Sequence, residues 1–195
     1  MNIIVTCFEP FNNNIINYSN EILNLIDNNY DEVKINKFVL PVLYYKSFNI
    51  LKNQIIKFNP SLILMLGEAR SYSKFGFESI GLNLVGSNLD NDNFNPNTDR
   101  LINNNIDGIF SNLDYNFFKE SCEKYNILSF KSYYAGDFVC NSLLYQTLLF
   151  IKNNFLNIKC GFIHIPIIDN YNYDNLKESF NNYLKLELNK IKKLL

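Results

Sequence analysis

Asn59-Pro60-Ser61-Leu62-Ile63-Leu64-Met65-Leu66-Gly67 decides the fold class. The apolar run has no polar alternation, and it is bounded by a proline and a glycine. A strand with one wet face alternates; an unbroken run suits a strand buried on both faces, inside a sheet covered by helices. Just upstream, residues 44–58 carry Phe48, Leu51, Ile55 and Ile56 at helical spacing, and Asn59-Pro60 ends that helix. The alternation continues outward in both directions. Residues 2–7 and 32–40 read as strands, with a helix between them that Ser19 caps and Ile22, Leu23 and Ile26 stripe. Downstream, Glu78 opens a strand candidate over 78–84, and a long Asn-, Asp- and Gly-rich loop covers 85–107. A helix at 115–124, a strand at 127–132, an almost wholly apolar and hence buried helix at 141–152, a strand at 160–165 and an amphipathic helix at 173–194 complete the chain. Strands alternating with helices predict an α/β protein with its sheet covered on both faces. No repeat or linker divides residues 1–195, so a single domain is expected.

Composition narrows the function classes. Of 195 residues, 47% are hydrophobic, enough for a sizeable core, and 18 basic against 19 acidic residues give a net charge of -1. That balance argues against a nucleic-acid surface, which clusters Lys and Arg against phosphates. No apolar stretch reaches the roughly 18–20 residues of a membrane span. The start, MNIIVTCFEP, lacks the basic and apolar regions of a signal peptide, so a cytoplasmic protein is expected. Asparagine is abundant, with runs at 12–14 and 103–105; it reads as genome-level bias filling surface loops rather than as a prion-like tract.

Two counts are sharper. The four cysteines, Cys7, Cys122, Cys140 and Cys160, are scattered with no CxxC pair, which suits reduced thiols and gives no structural-zinc spacing. His164 is the only histidine, so any imidazole chemistry must use it and a multi-histidine metal site is excluded. Cys140 follows Gly136-Asp137-Phe138-Val139 at the start of the buried helix, where free amides stabilise a thiolate and can hold an oxyanion. Its plain alternative is a small core residue. His164 sits in the apolar strand Phe162-Ile163-His164-Ile165, as either a base facing Cys140 or a core histidine bonded to a carbonyl. Glu78 is either a solvated strand-end carboxylate or the group that orients the imidazole. Phe8 and Phe11, in Phe8-Glu9-Pro10-Phe11, either wall a flat pocket or plug the core.

These segments resemble the pyroglutamyl peptidases, cysteine exopeptidases also called pyrrolidone-carboxylate peptidases. The resemblance is carried by Ile4-Val5-Thr6-Cys7-Phe8-Glu9-Pro10-Phe11 with Asn17 and Ser19, Leu40-Pro41-Val42, Glu78-Ser79-Ile80-Gly81-Leu82-Asn83, Ala135-Gly136-Asp137-Phe138-Val139-Cys140-Asn141, and Gly161-Phe162-Ile163-His164-Ile165-Pro166, in that order along nearly the whole chain. It implies a single-domain, three-layer α/β/α sandwich with a mostly parallel, mixed central sheet. It implies Cys140 as nucleophile, His164 as base and then acid, and Glu78 as the orienting residue, with Phe8, Phe11, Glu68, Phe138 and Val139 about the substrate. The implied reaction removes an N-terminal 5-oxoproline from peptides through a thioester, with no metal and no cofactor, in a homo-oligomer, often a tetramer. Several positions depart from the pattern: Cys7 and Asn12-Asn13 stand for glycines, Glu68 for a glutamine, Arg70-Ser71 for glycines, Tyr72 and Asn88 for arginines, and Tyr134 for a small residue. A carboxylate at Glu68 is expected to repel the lactam oxygen if both point inward. The departures leave two alternatives: a related amidase with altered small-amide specificity, or a non-catalytic relic that binds a peptide end.

Overall fold

Strand periodicity sorts the core into two faces. The computed structural model describes all residues but Asn13, Leu194 and Leu195, so the reading of Asn13 as a replaced glycine, and the final residue of the 173–194 helix, lie outside the described residues. In β1 (Asn2–Phe8), Ile3, Val5 and Cys7 join one apolar cluster and Ile4 and Phe8 the other; in β4 (Leu62–Glu68), Leu62, Leu64 and Leu66 face one way and Ile63 and Met65 the other. Successive side chains of a strand point to opposite faces, so an unbroken apolar run is buried twice over. All seven residues of β4 are buried.

The remaining strands are β2 (Asn29–Tyr30), β3 (Val33–Leu40), β5 (Phe75–Glu78), β6 (Ile80–Leu82), β7 (Gly108–Phe110), β8 (Ser129–Ser132) and β9 (Lys159–Ile165). The main sheet runs β2-β3-β1-β4-β9-β5-β8. Pairs β1–β3, β1–β4, β4–β9 and β5–β8 are parallel, whereas β2–β3 and β5–β9 are antiparallel. Helices α1 (Tyr18–Leu25), α3 (Tyr115–Lys124) and α5 (Tyr173–Lys192) cover one face, and α2 (Lys46–Phe58) and α4 (Val139–Asn153) the other. The expected three layers and mixed sheet are present.

Four departures from the sequence reading have a local reason. The α1 cap is Asn17, not Ser19: its side chain accepts from the Ser19 amide and hydroxyl at 3.0 and 2.7 Å. The α2 helix begins at Lys46 because Tyr45 takes a positive φ of 57°. The 78–84 strand is two strands in two sheets; the chain leaves the main sheet at Ser79, whose amide donates to the Ser132 carbonyl, and β6 pairs instead with β7. Glu78 therefore ends a strand rather than opening one. The α4 helix begins at Val139, two residues earlier than expected, so Cys140 is its second residue and Phe138 takes the cap position.

The α4 start is tied to β6 by Asn141, fully buried, which accepts from the Leu82 amide at 2.9 Å and donates to the Leu82 and Leu84 carbonyls at 2.9 and 3.3 Å. The 85–107 loop, without helix or strand, is fastened by side chains: Asp90 accepts from the Tyr44, Asp92 and Phe94 amides, and Asn95 donates to the Gly86 and Asn88 carbonyls. Asn141→Ala leaves a half-buried amide and carbonyls without their partner, so urea unfolding should show a loss of about 1–3 kcal/mol; an unchanged unfolding midpoint would contradict this tie.

Candidate active site

The same alternation delivers the reactive groups to one face. In β9, His164 shares its side with Phe162 and Cys160, which belong to the cluster under α4; in β5, Glu78 lies opposite in facing to Phe75 and Phe77 and so points the same way as His164. Gly67 of β4 pairs with His164 across the strands and has the parity of Ile63 and Met65. A Cβ built there would lie 2.9 Å from the Cys140 sulfur and 2.6 Å from the Phe162 ring. The absent side chain of Gly67 is thus the space into which the sulfur descends from α4. Sequence reading took Gly67 only as the end of a strand.

His164 Nδ1 is 2.8 Å from Glu78 Oε1, with both side chains almost wholly buried. That contact commits Nδ1 and leaves Nε2 as the nitrogen available to the thiol. Burial alone pushes the imidazole toward its neutral form, but hydrogen bonding and charge from Cys140 and Glu78 outweigh it and raise its pKa from 6.5 to about 9. Cys140 is the one thiol of the four that is not buried; burial pushes Cys7 and Cys122 up to about 12 and Cys160 higher still. The α4 amides of Val139, Cys140 and Asn141 have no partner one turn back, and Phe138 at the cap position offers them no side-chain acceptor. They are donors placed beside the sulfur, suited to an anionic oxygen.

Cys140 and His164 open onto a pocket of about 310 Å³ whose lining includes Phe8, Phe11, Phe138, Val139, Glu68 and Asn17. Five residues expected about the substrate and two of the expected triad are therefore brought together, while Glu78 stands behind His164. Glu68 differs from expectation in its direction. By strand parity it faces α1, and its carboxylate accepts from the Tyr18 amide at 2.7 Å and pairs with Arg70 Nε at 2.5 Å. A carboxylate on the first amide of a helix is favourably placed against the helix dipole, and with both oxygens engaged it is not turned on a neutral ligand. The two departures, Glu68 and Arg70, compensate each other. The FEPF turn is fixed through Glu9, which accepts from the Val42 amide and Asn91 side chain, and through Asn17, which donates to the Glu9 carbonyl. Among the described residues no group of three His, Cys, Asp or Glu side chains is arranged to hold a metal, and no described helix is long and apolar enough to cross a membrane.

The sequence profile of the pyroglutamyl peptidases matches residues 1–188. The chain belongs to the pyroglutamyl peptidase family. It is a cysteine peptidase. It is 35% identical over 169 residues to the pyrrolidone-carboxylate peptidase of Brachyspira hyodysenteriae, covering 86% of this chain and 84% of that one, and 33% identical over 171 residues to that of Thermosipho melanesiensis, covering 87% and 85%. The crystal structure of pyroglutamyl peptidase I from Bacillus amyloliquefaciens superposes with a TM-score of 0.88 at 25% identity, over 95% of this chain and 94% of that one.

A single histidine makes the site directly readable. NMR titration of the His164 imidazole should give a midpoint near 9, falling toward 6.5 in Cys140→Ala. Because the folded value is raised, the attendant stability is fully present below pH 6.5 and is lost as pH rises through about 9. A wild-type midpoint at or below 6.5 would contradict this assignment.

Proposed function

We propose that this peptidase releases an N-terminal pyroglutamyl residue from peptides, with Cys140 as nucleophile, His164 as proton carrier and Glu78 as the group that orients His164. The observation that carries the reading is that Cys140 and His164 open onto the same small pocket, walled by Phe8, Phe11, Phe138 and Val139. A flat, neutral lactam fits between aromatic and aliphatic walls, and its N–H and C=O need backbone partners to be held specifically. Family membership and the names of the relatives support the same substrate.

The chemistry follows from the geometry. The Cys140 thiolate adds to the pyroglutamyl carbonyl carbon, forming a C–S bond and moving the carbonyl electron pair to oxygen, where the first amides of α4 can receive it. As the oxyanion collapses, the C–N bond breaks and His164 gives its Nε2 proton to the departing amine. Water then attacks the thioester, His164 takes the water's proton, and sulfur leaves with the C–S electron pair. Glu78 keeps Nδ1 protonated throughout and so fixes the tautomer. No residue in this scheme draws on a metal or a cofactor. The four unpaired thiols support a reducing, cytoplasmic setting.

Release of a fluorophore from a pyroglutamyl amide tests the proposal. Cys140→Ala and His164→Ala should each lower kcat by about a thousandfold or more, while Cys122→Ala, distant in the α3–α5 layer, should match wild type. Comparable turnover by Cys140→Ala would end the proposal.

A further inference from the structure

Tyr72 lies on the connection between β4 and β5, outside the residues expected to act. Its hydroxyl is 3.3 Å from Glu78 Oε1 and 3.4 Å from the Tyr134 carbonyl, in the segment leading to Cys140. A phenol has one proton and donates to one acceptor at a time; an ionised oxygen is the stronger acceptor. The ring is held by its packing. It meets Phe130 edge-on with centroids 5.0 Å apart and the His164 ring at 5.6 Å and 76°. Gly76, which pairs with His164 across the strands, makes room for it: a Cβ there would lie 2.6 Å from the phenol ring. Glu78 Oε1 is therefore the meeting point of two donors, the imidazole Nδ1–H and the phenol O–H. Oε2 is buried and has no partner among the described residues.

We infer that Tyr72 is a positioning residue for the reaction, acting through Glu78: its hydroxyl anchors Oε1 and takes up part of the carboxylate charge, so that His164 can release its proton to the leaving amine. The inference rests on the proposed roles of Cys140, His164 and Glu78. Charge shared with the phenol is not available to the imidazolium, so the second donor tempers the attraction that Glu78 exerts on it. The charged and titratable groups that bear on His164 are Cys140 from α4, Glu78 from β5 and Tyr72 from the connection. At the end of β4, Glu68 is already paired with Arg70. Removing the phenol proton leaves the carboxylate to the imidazole alone. The imidazolium then holds its proton more tightly and serves less well as an acid.

The test compares wild type, Tyr72→Phe, Tyr72→Leu and the exposed control Tyr133→Phe by NMR titration of the sole histidine and by steady-state hydrolysis of a pyroglutamyl amide. Phe keeps the ring packing and Leu does not, so an upward shift common to both belongs to the hydroxyl. In Tyr72→Phe the histidine midpoint should rise by about half a pH unit or more, and kcat should fall by about three- to tenfold with KM within about twofold. Tyr133→Phe should move neither quantity. A midpoint in Tyr72→Phe that is unchanged or lower, with kcat near wild type, overturns the inference. If wild type cleaves no pyroglutamyl amide, the proposed substrate is wrong, and the titration still decides the part played by Tyr72.

Discussion

A carboxylate with no exposure to water sits 2.8 Å from the chain's only imidazole, and the surrounding sheet is arranged around that contact. Neither group is stable there alone: an unpaired buried charge costs several kcal/mol. Each justifies the burial of the other, and the sulfur completes the set. The contact depends on register. Glu78 pairs with Phe162 and Gly76 with His164 across an antiparallel junction in an otherwise largely parallel sheet. A slip of one residue would send Glu78 to the α1–α3–α5 face, because side chains alternate. On the other flank of β9, Gly67 keeps the space above the sheet open for Cys140. A single face, three neighbouring strands and the first turn of one helix therefore define the site.

Much of this was legible in the residues. The unbroken apolar run of β4 marked a doubly buried strand, and the one almost wholly apolar helix, α4, and the α5 stripe of Leu176, Phe180, Tyr183, Leu184, Leu188 and Ile191 were buried as their spacing implied. The uniqueness of His164 singled it out without any comparison. What the residues could not show was partnership across the sheet. Glu78 to Leu84 reads as one strand, yet the chain changes sheet at Ser79 because Ser132 and Ser111 take its backbone groups. Such pairings join segments far apart in sequence and leave no local signal. Gly67 was read only as the end of a strand and Tyr72 only as a replaced arginine for the same reason, since their importance comes from atoms on other elements.

The asparagines carry more structure than a compositional bias requires. Among the described residues, Asn12, Asn59, Asn93, Asn97, Asn104 and Asn126 take positive φ, a region that Asn enters more readily than most side chains. Asn83, Asn95 and Asn141 are buried and close hydrogen bonds to backbone groups. Glu68 is the complementary case. Read alone, a carboxylate at the pocket predicts repulsion of a neutral ring; read with Arg70 and the Tyr18 amide, it is an anchor for α1. A substitution in such a site has meaning only together with its neighbours.

The central claim, that the Cys140 sulfur bonds to a pyroglutamyl carbonyl while His164 serves it, is tested most directly by trapping that bond. Acid quenching during turnover of a pyroglutamyl ester, followed by intact-mass analysis and peptide mapping, should reveal a 5-oxoprolyl group on Cys140 that is absent from the other three cysteines. Turnover of the ester with no acylated cysteine at any quench time, or with the group on a different residue, would contradict the account.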